Sequence, residues 1–285
     1  MCRLLVLPLG MQKLILSVIL VGVWLMGYSQ DEKFPQTLTA GVEFRPIFPA
    51  SFLKTGDQET SNDEYSVVVS PKFGFSAGMI IRYGFHKRFA LETGLSFVQR
   101  NYNLNIHRDS TSGILGKPEY SSKTDFTIVG YEHPIKLLVF VRLSDQFYMN
   151  AAAGFQFTFF PSDIFTTDEG QTGNDQHFKH SAVRLGFDGK IIGEGNDGFI
   201  HGGAIANLGW EYRTKKIGNF YLGATYQVPF APIYRSKFRY AEDNYESEPQ
   251  FIWVNGSYLT FDVRYFFHSK PIAKKEKKKK KKQQS

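Results

Sequence analysis

Cysteine is almost missing from this chain, with Cys2 as its single representative. Cys2 precedes an apolar leader, so a mature chain carries no thiol. That excludes disulfides, thiolate metal sites and cysteine nucleophiles together. Cys2 is also on the wrong side of the leader to be a lipoprotein cysteine. Long apolar runs are equally scarce. The one compact run, Leu14 to Met26, is too short for a comfortable membrane helix, and the mean hydropathy of −0.27 argues against a helical membrane protein. Helix-forming runs of Ala, Leu and Glu are few, whereas 26 Gly and 16% aromatics favour strands. A basic face is missing too. The net charge of +7 is matched by the tail Lys274 to Lys282, which holds eight Lys and one Glu, so the rest sums to zero. Without Arg3 and Lys13 of the leader the body stands near −2. Nucleic acid is therefore not an expected partner.

The leader itself has Lys13 before the apolar run and Gly27, Tyr28 and Ser29 after it. A positive start, a short apolar centre and a small-residue exit describe a secretory signal peptide over residues 1–30, cleaved after Ser29 or Gln30. The alternative is an uncleaved anchor. Met11 is the more natural start, which leaves residues 1–10 as an upstream misassignment of the start site.

Beyond the leader the chain alternates in steps of two, the mark of strands with two different faces. Leu38, Ala40, Val42 and Phe44 oppose Thr39, Gly41, Glu43 and Arg45. Phe73, Phe75, Ala77, Met79, Ile81 and Tyr83 oppose Gly74, Ser76, Gly78, Ile80 and Arg82. Equivalent runs follow at 89–100, 129–139, 149–158, 204–213, 220–228 and, as one long strand, 253–267. About eight strands result, the smallest size of a membrane barrel. The connections alternate long and short: 46–71, 102–124, 161–198 and 231–250 are long, and 84–88, 142–147 and 214–219 are short. Outer-membrane barrels have short periplasmic turns and long extracellular loops, which puts both termini in the periplasm. Residues 181–192 also alternate. The preferred reading is a β-extension of the third long loop; an extra hairpin would give ten strands.

Alternation alone does not say which face meets lipid, since soluble barrels share it. The polar face carries Glu43, Arg45, Arg82, Glu92, Glu132, Lys136, Glu211, Arg213, Asp262 and Arg264 at membrane depth. Tyr83, Phe89, Tyr148, Tyr212, Phe220, Tyr265 and Phe267 gather near strand ends as an interfacial girdle. With the leader, these features favour polarity inverted relative to a soluble barrel. Hydrocarbon offers no hydrogen-bond partners, so the sheet must close. Eight strands leave an interior just wide enough for side chains. The ten charged residues are expected to pair there, because buried charge is costly alone. Inward Gly74, Gly78, Gly94, Gly154, Gly203, Gly209 and Gly223 leave them room. The expected fold is thus all-β: a closed, antiparallel, up-and-down transmembrane barrel over 31–268 with a plugged polar interior, followed by a disordered lysine-rich tail at 269–285 on the periplasmic side.

The strand Tyr131-Glu132-His133-Pro134-Ile135-Lys136-Leu137-Leu138 resembles the fourth strand of PorT-like outer-membrane β-barrel proteins of Bacteroidetes, small barrels of the OmpA type. In that family a Glu and a Pro two residues apart precede a leucine-rich run. Phe147 to Gly154 and a leader ending in Ser-Gln are similar as well. His133 and Lys136 stand where the family usually has apolar residues. The resemblance covers most of 35–267. It implies an outer-membrane barrel and, further, a component of a protein secretion or gliding complex. The aromatic strand ending in Tyr265-Phe266-Phe267 resembles the signal read by the outer-membrane assembly machinery, although about eighteen residues follow it.

Candidate chemistry is thin. His107, Asp109 and Ser110 lie in the second long loop, and Asp175, His177 and His180 in the third. Without a further ligand pattern these are solvated loop residues. His133, in mid-strand on the lipid face, reads as a buried or interfacial histidine. Gly193 to Gly198 lacks the Lys-Ser/Thr of a phosphate loop and reads as a turn. No catalytic, cofactor or metal residue is assigned. The expected function is a structural or interaction role in the cell envelope. Its partners are outer-membrane lipid, the assembly machinery and other envelope proteins. The alternatives are a small-solute channel, an outer-membrane hydrolase or acyltransferase, and a soluble barrel for an apolar ligand. The lysine tail cannot fold, because like charges repel. It is a solvated tail or a tether to an anionic periplasmic surface.

Overall fold

The computed structural model describes residues 37–49, 56–61, 65–108, 120–161, 167–169, 177–184, 200–214, 216–242, 245–246, 248 and 250–268. Fourteen strands occur among them. In chain order they are β1 (Thr37–Phe48), β2 (Gln58–Ser61), β3 (Ser66–Gly84), β4 (Phe89–Arg108), β5 (Tyr120–Arg142), β6 (Phe147–Phe159), β7 (Thr167–Glu169), β8 (His177–Arg184), β9 (Ile200–Arg213), β10 (Gly218–Pro229), β11 (Tyr234–Glu242), β12 (Tyr245–Glu246), β13 (Gln250–Val254) and β14 (Tyr258–Phe267). The leader, the lysine tail, Asp109, Ser110, Asp175, residues 185–192 and the Gly193 to Gly198 turn lie outside the described residues.

Eight strands close on themselves in the order β1-β3-β4-β5-β6-β9-β10-β14, every neighbour antiparallel, with β14 returning to β1 through Gly41↔Phe266 to Phe48↔Leu259. The barrel therefore has eight strands and not ten. β8, at the place where an extra hairpin was conceivable, pairs with β7 and β11 in a second sheet, which β12 and β13 join through β11. The last barrel strand is shorter than its alternation suggests. Asn255-Gly256-Ser257 separates β13 from β14, and Gly256, at φ 74°, takes a left-handed conformation that turns the chain. Trp253 consequently pairs with Arg235 of β11 rather than continuing the wall.

Along the barrel wall the outward residues are apolar. Met79 is 68% exposed and Leu95 55%, whereas Glu92 and Asp262 are fully buried and Arg264 retains 1%. From Phe73 to Tyr83 the outward row of β3 runs about 33 Å along the strand, or about 25 Å along the axis at the usual tilt, the height of an outer-membrane apolar band. Aromatic rings rim it on both sides. Phe44, Phe75, Phe97 and Tyr131 form a chain of ring contacts 5.8–6.2 Å apart toward the long loops. Phe220, Tyr265 and Phe267 do so at 5.2–5.4 Å toward the short turns. Tyr148 departs from the expected girdle. It shares the inward face of β6 with Asn150, and Arg213 lies 4.1 Å over its ring.

β3, β4 and β5, at 19, 20 and 23 residues, are far longer than a crossing requires. Their polarity reverses where the band ends. On β4 the outward row changes from Leu91, Leu95 and Phe97 to Gln99, Asn101, Asn103, Asn105 and His107, while Tyr102, Leu104 and Ile106 turn inward. On β3 a bulge between Lys72 and Phe75 shifts the phase, so Tyr65, Val67 and Val69 also face inward. These residues pack with Ile128, Phe160, Ile233, Ile252 and Val254 into one apolar core. The same strand thus obeys the membrane rule in its lower half and the soluble rule in its upper half.

Candidate functional site

The inward row of each strand builds the interior, and the period of two is what delivers the charges there. All ten charged residues singled out from the sequence occur on inward faces, and they meet. Arg213 Nε lies 2.6 Å from Glu211. Glu211 also bonds Arg82, and Arg82 reaches Glu92 at 2.9 Å. Glu92 takes Lys136 at 2.7 Å and Arg264 at 2.9 Å. Arg264 holds Asp262 at 2.5 Å and Glu43 at 3.3 Å. Glu43 pairs with Arg45 at 3.3 Å, Arg45 with Glu132 at 3.2 Å, and Glu132 with Arg100 at 3.0 Å. The result is one unbroken chain of alternating charge along the barrel, contributed by β1, β3, β4, β5, β9 and β14.

Arg100 was absent from the sequence-derived set, and it makes the count five acids to six bases. Its parity on β4 matches Glu92 and Ser96, so the alternation places it inside. Neutral side chains add hydrogen bonds to the carboxylates. Ser96 donates to Glu43 at 2.6 Å and Tyr258 to Glu132 at 2.7 and 2.6 Å. Asn207 bridges Asp262 at 3.0 Å and accepts from Tyr221 at 2.7 Å, and Thr225 also bonds Asp262. The Tyr221 phenol lies over Gly209 and Gly223, where a Cβ would fall 2.4 and 2.1 Å from its oxygen, so the ring requires both glycines. Arginine faces are covered by rings: Phe266 lies 3.7 Å under Arg82, and Tyr221 lies 4.7 Å from Arg264.

Apolar layers bound the network at both ends. Ala90, Leu138, Phe140 and Ala152 pack inside toward the short turns, with Tyr148 against them. Toward the long loops, Ile47, Val98 and Tyr258 pack together, and Arg100 lies 5.6 Å from the ring of Phe160, a member of the upper apolar core.

The other singled-out histidines lie on three different strands. His107 is exposed at the far end of β4, and His133 lies on the outer wall of β5. His177 and His180 lie on β8, a strand, so their three-residue spacing is not that of a helix face. Among the described residues no group of three or more His, Cys, Asp or Glu is arranged to hold a metal ion.

Solved structures similar in fold include the outer membrane protein OprG from Pseudomonas aeruginosa. It is 14% identical over 84% of this chain and 99% of its own, with a TM-score of 0.43. The outer membrane protease OmpT from Escherichia coli is 8% identical over 82% and 94%, with a TM-score of 0.29. At these levels the likeness carries no functional meaning. No curated protein matches the sequence. The family model described as outer membrane protein beta-barrel domain matches residues 28–235. That span includes seven of the eight barrel strands, and the chain belongs to this family as an outer-membrane β-barrel protein.

Proposed function

We propose that this protein is a closed, non-conducting barrel of the outer membrane whose long-loop end serves as a structural or interaction surface of the envelope. The observation that carries this reading is the unbroken ion-pair chain from Glu211 to Arg100, buried between two apolar layers. A solute crossing the barrel would have to break several buried pairs at once, each costing about 3–5 kcal/mol when one partner is left alone. Reconstitution in planar bilayers tests it: the expected trace has no steady open current, and a large stable conductance defeats the reading.

The orientation consistent with this role has the long loops and the projecting ends of β3, β4 and β5 outside the cell and both termini in the periplasm. The terminal aromatic strand β14 then offers its edge to the assembly machinery. The lysine tail faces anionic periplasmic surfaces, at about 1 kcal/mol per Lys near such a surface. A tag inserted between β4 and β5 is accessible on intact cells in this arrangement.

A second reading is a subunit of a secretion or gliding complex. It rests on the resemblance of Tyr131 to Leu138 to PorT-like strands and on the ordered second sheet, whose Phe251 and Trp253 are 39% and 47% exposed. Cross-linking before mild extraction supports this reading when other envelope proteins come with the chain, and a clean monomer counts against it.

A further inference from the structure

Pro134 occupies the interior of a barrel strand, where its missing N–H removes one rung of the ladder. Pairing between β4 and β5 runs from Phe89↔Val139 to Thr93↔Ile135, stops, and resumes at Ser96↔Glu132. The interrupted stretch sets Gly94 and Leu95 against His133 and Pro134, with Pro134 directly across from Gly94. The Gly94 carbonyl therefore faces a residue that has no hydrogen to give. In hydrocarbon an unmet carbonyl is expensive, because no water is there to bond it.

His133 precedes the proline and lies on the outward face between Tyr131 and Ile135. Its Nδ1 is 2.7 Å from the Gly94 carbonyl oxygen. A carbonyl oxygen only accepts, so Nδ1 carries the proton and donates. Nε2 lies 3.5 Å from the Thr93 hydroxyl. We propose that His133 stands in for the backbone N–H that Pro134 lacks and closes the barrel wall at a gap inside the lipid-facing band. This bond accounts for an imidazole on an otherwise apolar row of β5. It also braces the stretch next to Glu132, whose carboxylate receives Arg45, Arg100 and Tyr258.

The test is a double-mutant cycle on the full-length chain, read as the folding equilibrium in lipid vesicles. H133L lowers that equilibrium about 3- to 30-fold, the range for one hydrogen bond within a membrane protein. P134A restores a main-chain donor, and in that background H133L changes the equilibrium less than about 2-fold. Infrared spectra of a carbonyl-labelled Gly94 give a second readout: its band moves to higher frequency in H133L and returns in the double variant. Equal losses from H133L in both backgrounds, or an unmoved carbonyl band, overturn the proposal. Should P134A not assemble, H133Q decides, since Gln retains a donor. H133Q close to wild type supports the proposal, and H133Q as damaged as H133L overturns it.

Discussion

Replacing Glu92 with Gln removes the charge on which three cations converge. One carboxylate oxygen receives Lys136 at 2.7 Å and Arg264 at 2.9 Å, and the other receives Arg82 at 2.9 Å. Arg82 keeps Glu211, and Arg264 keeps Asp262 and Glu43. Lys136 has no other ion pair among the described residues, although it is 1% exposed. Five acids already face six bases in the network, so E92Q leaves four against six. An uncompensated buried charge costs about 3–5 kcal/mol, and that loss is expected in E92Q. K136M acts in the opposite sense. It equalises the count and leaves Glu92 held by two arginines, so its cost is expected within about 1 kcal/mol. The double variant E92Q/K136M is then more stable than E92Q alone. Urea-dependent folding in lipid vesicles, followed by tryptophan emission and heat-modifiable gel migration, gives all three values. E92Q indistinguishable from wild type, or K136M as damaging as E92Q, refutes the reasoning.

Other consequences are smaller. Above the lipid band, hydrogen bonds from Lys72 at 2.5 Å and Asn103 at 2.7 Å hold the Asp125 carboxyl below the usual aspartate range. Its stabilisation is therefore present above the unfolded-state pKa and fades as pH falls through the lowered folded value. The stability gap between wild type and D125N, measured across acidic pH, narrows in that window; a gap that persists at the acid end contradicts this. At mid-band, M79R places a guanidinium against lipid and is expected to cost about 2–4 kcal/mol. The same change at Asn105, on the polar outer row of β4, should be nearly neutral, and paired folding titrations compare the two.

All eight barrel strands were legible because each crossing must hold two chemistries apart for its whole length. Glu43, Arg82, Glu132 and Arg264 could be assigned inward for the same reason. The network's connectivity was not legible, since which carboxylate meets which guanidinium depends on register and barrel shear. The upper halves of β4 and β5 read as loops from their abundance of Asn, Ser and Lys. A signal was nevertheless there: Asn101-Tyr102-Asn103-Leu104-Asn105-Ile106 alternates as strictly as any crossing, with the polar residues on the row that is apolar below. The break at Gly256 is hidden in the sequence because Trp253 and Leu259 keep the same parity across it. Position near a strand end suggests the girdle for Tyr148, whereas its place on one face of β6 with Asn150 points to the interior.

The apolar row faces lipid and the charged row faces the axis, and this inversion is open to direct measurement. With Cys2 replaced, a single nitroxide at position 95, 263 or 225 reports its surroundings through relaxation by oxygen, which concentrates in lipid, and by a water-soluble nickel chelate. Leu95 and Val263 are 55% and 43% exposed on the outer wall, whereas Thr225 has no exposed surface. The account predicts strong oxygen and weak nickel relaxation for labels at 95 and 263 in reconstituted vesicles, and weak relaxation by both at 225. Strong nickel relaxation at 95 and 263, with oxygen contact confined to 225, would contradict it.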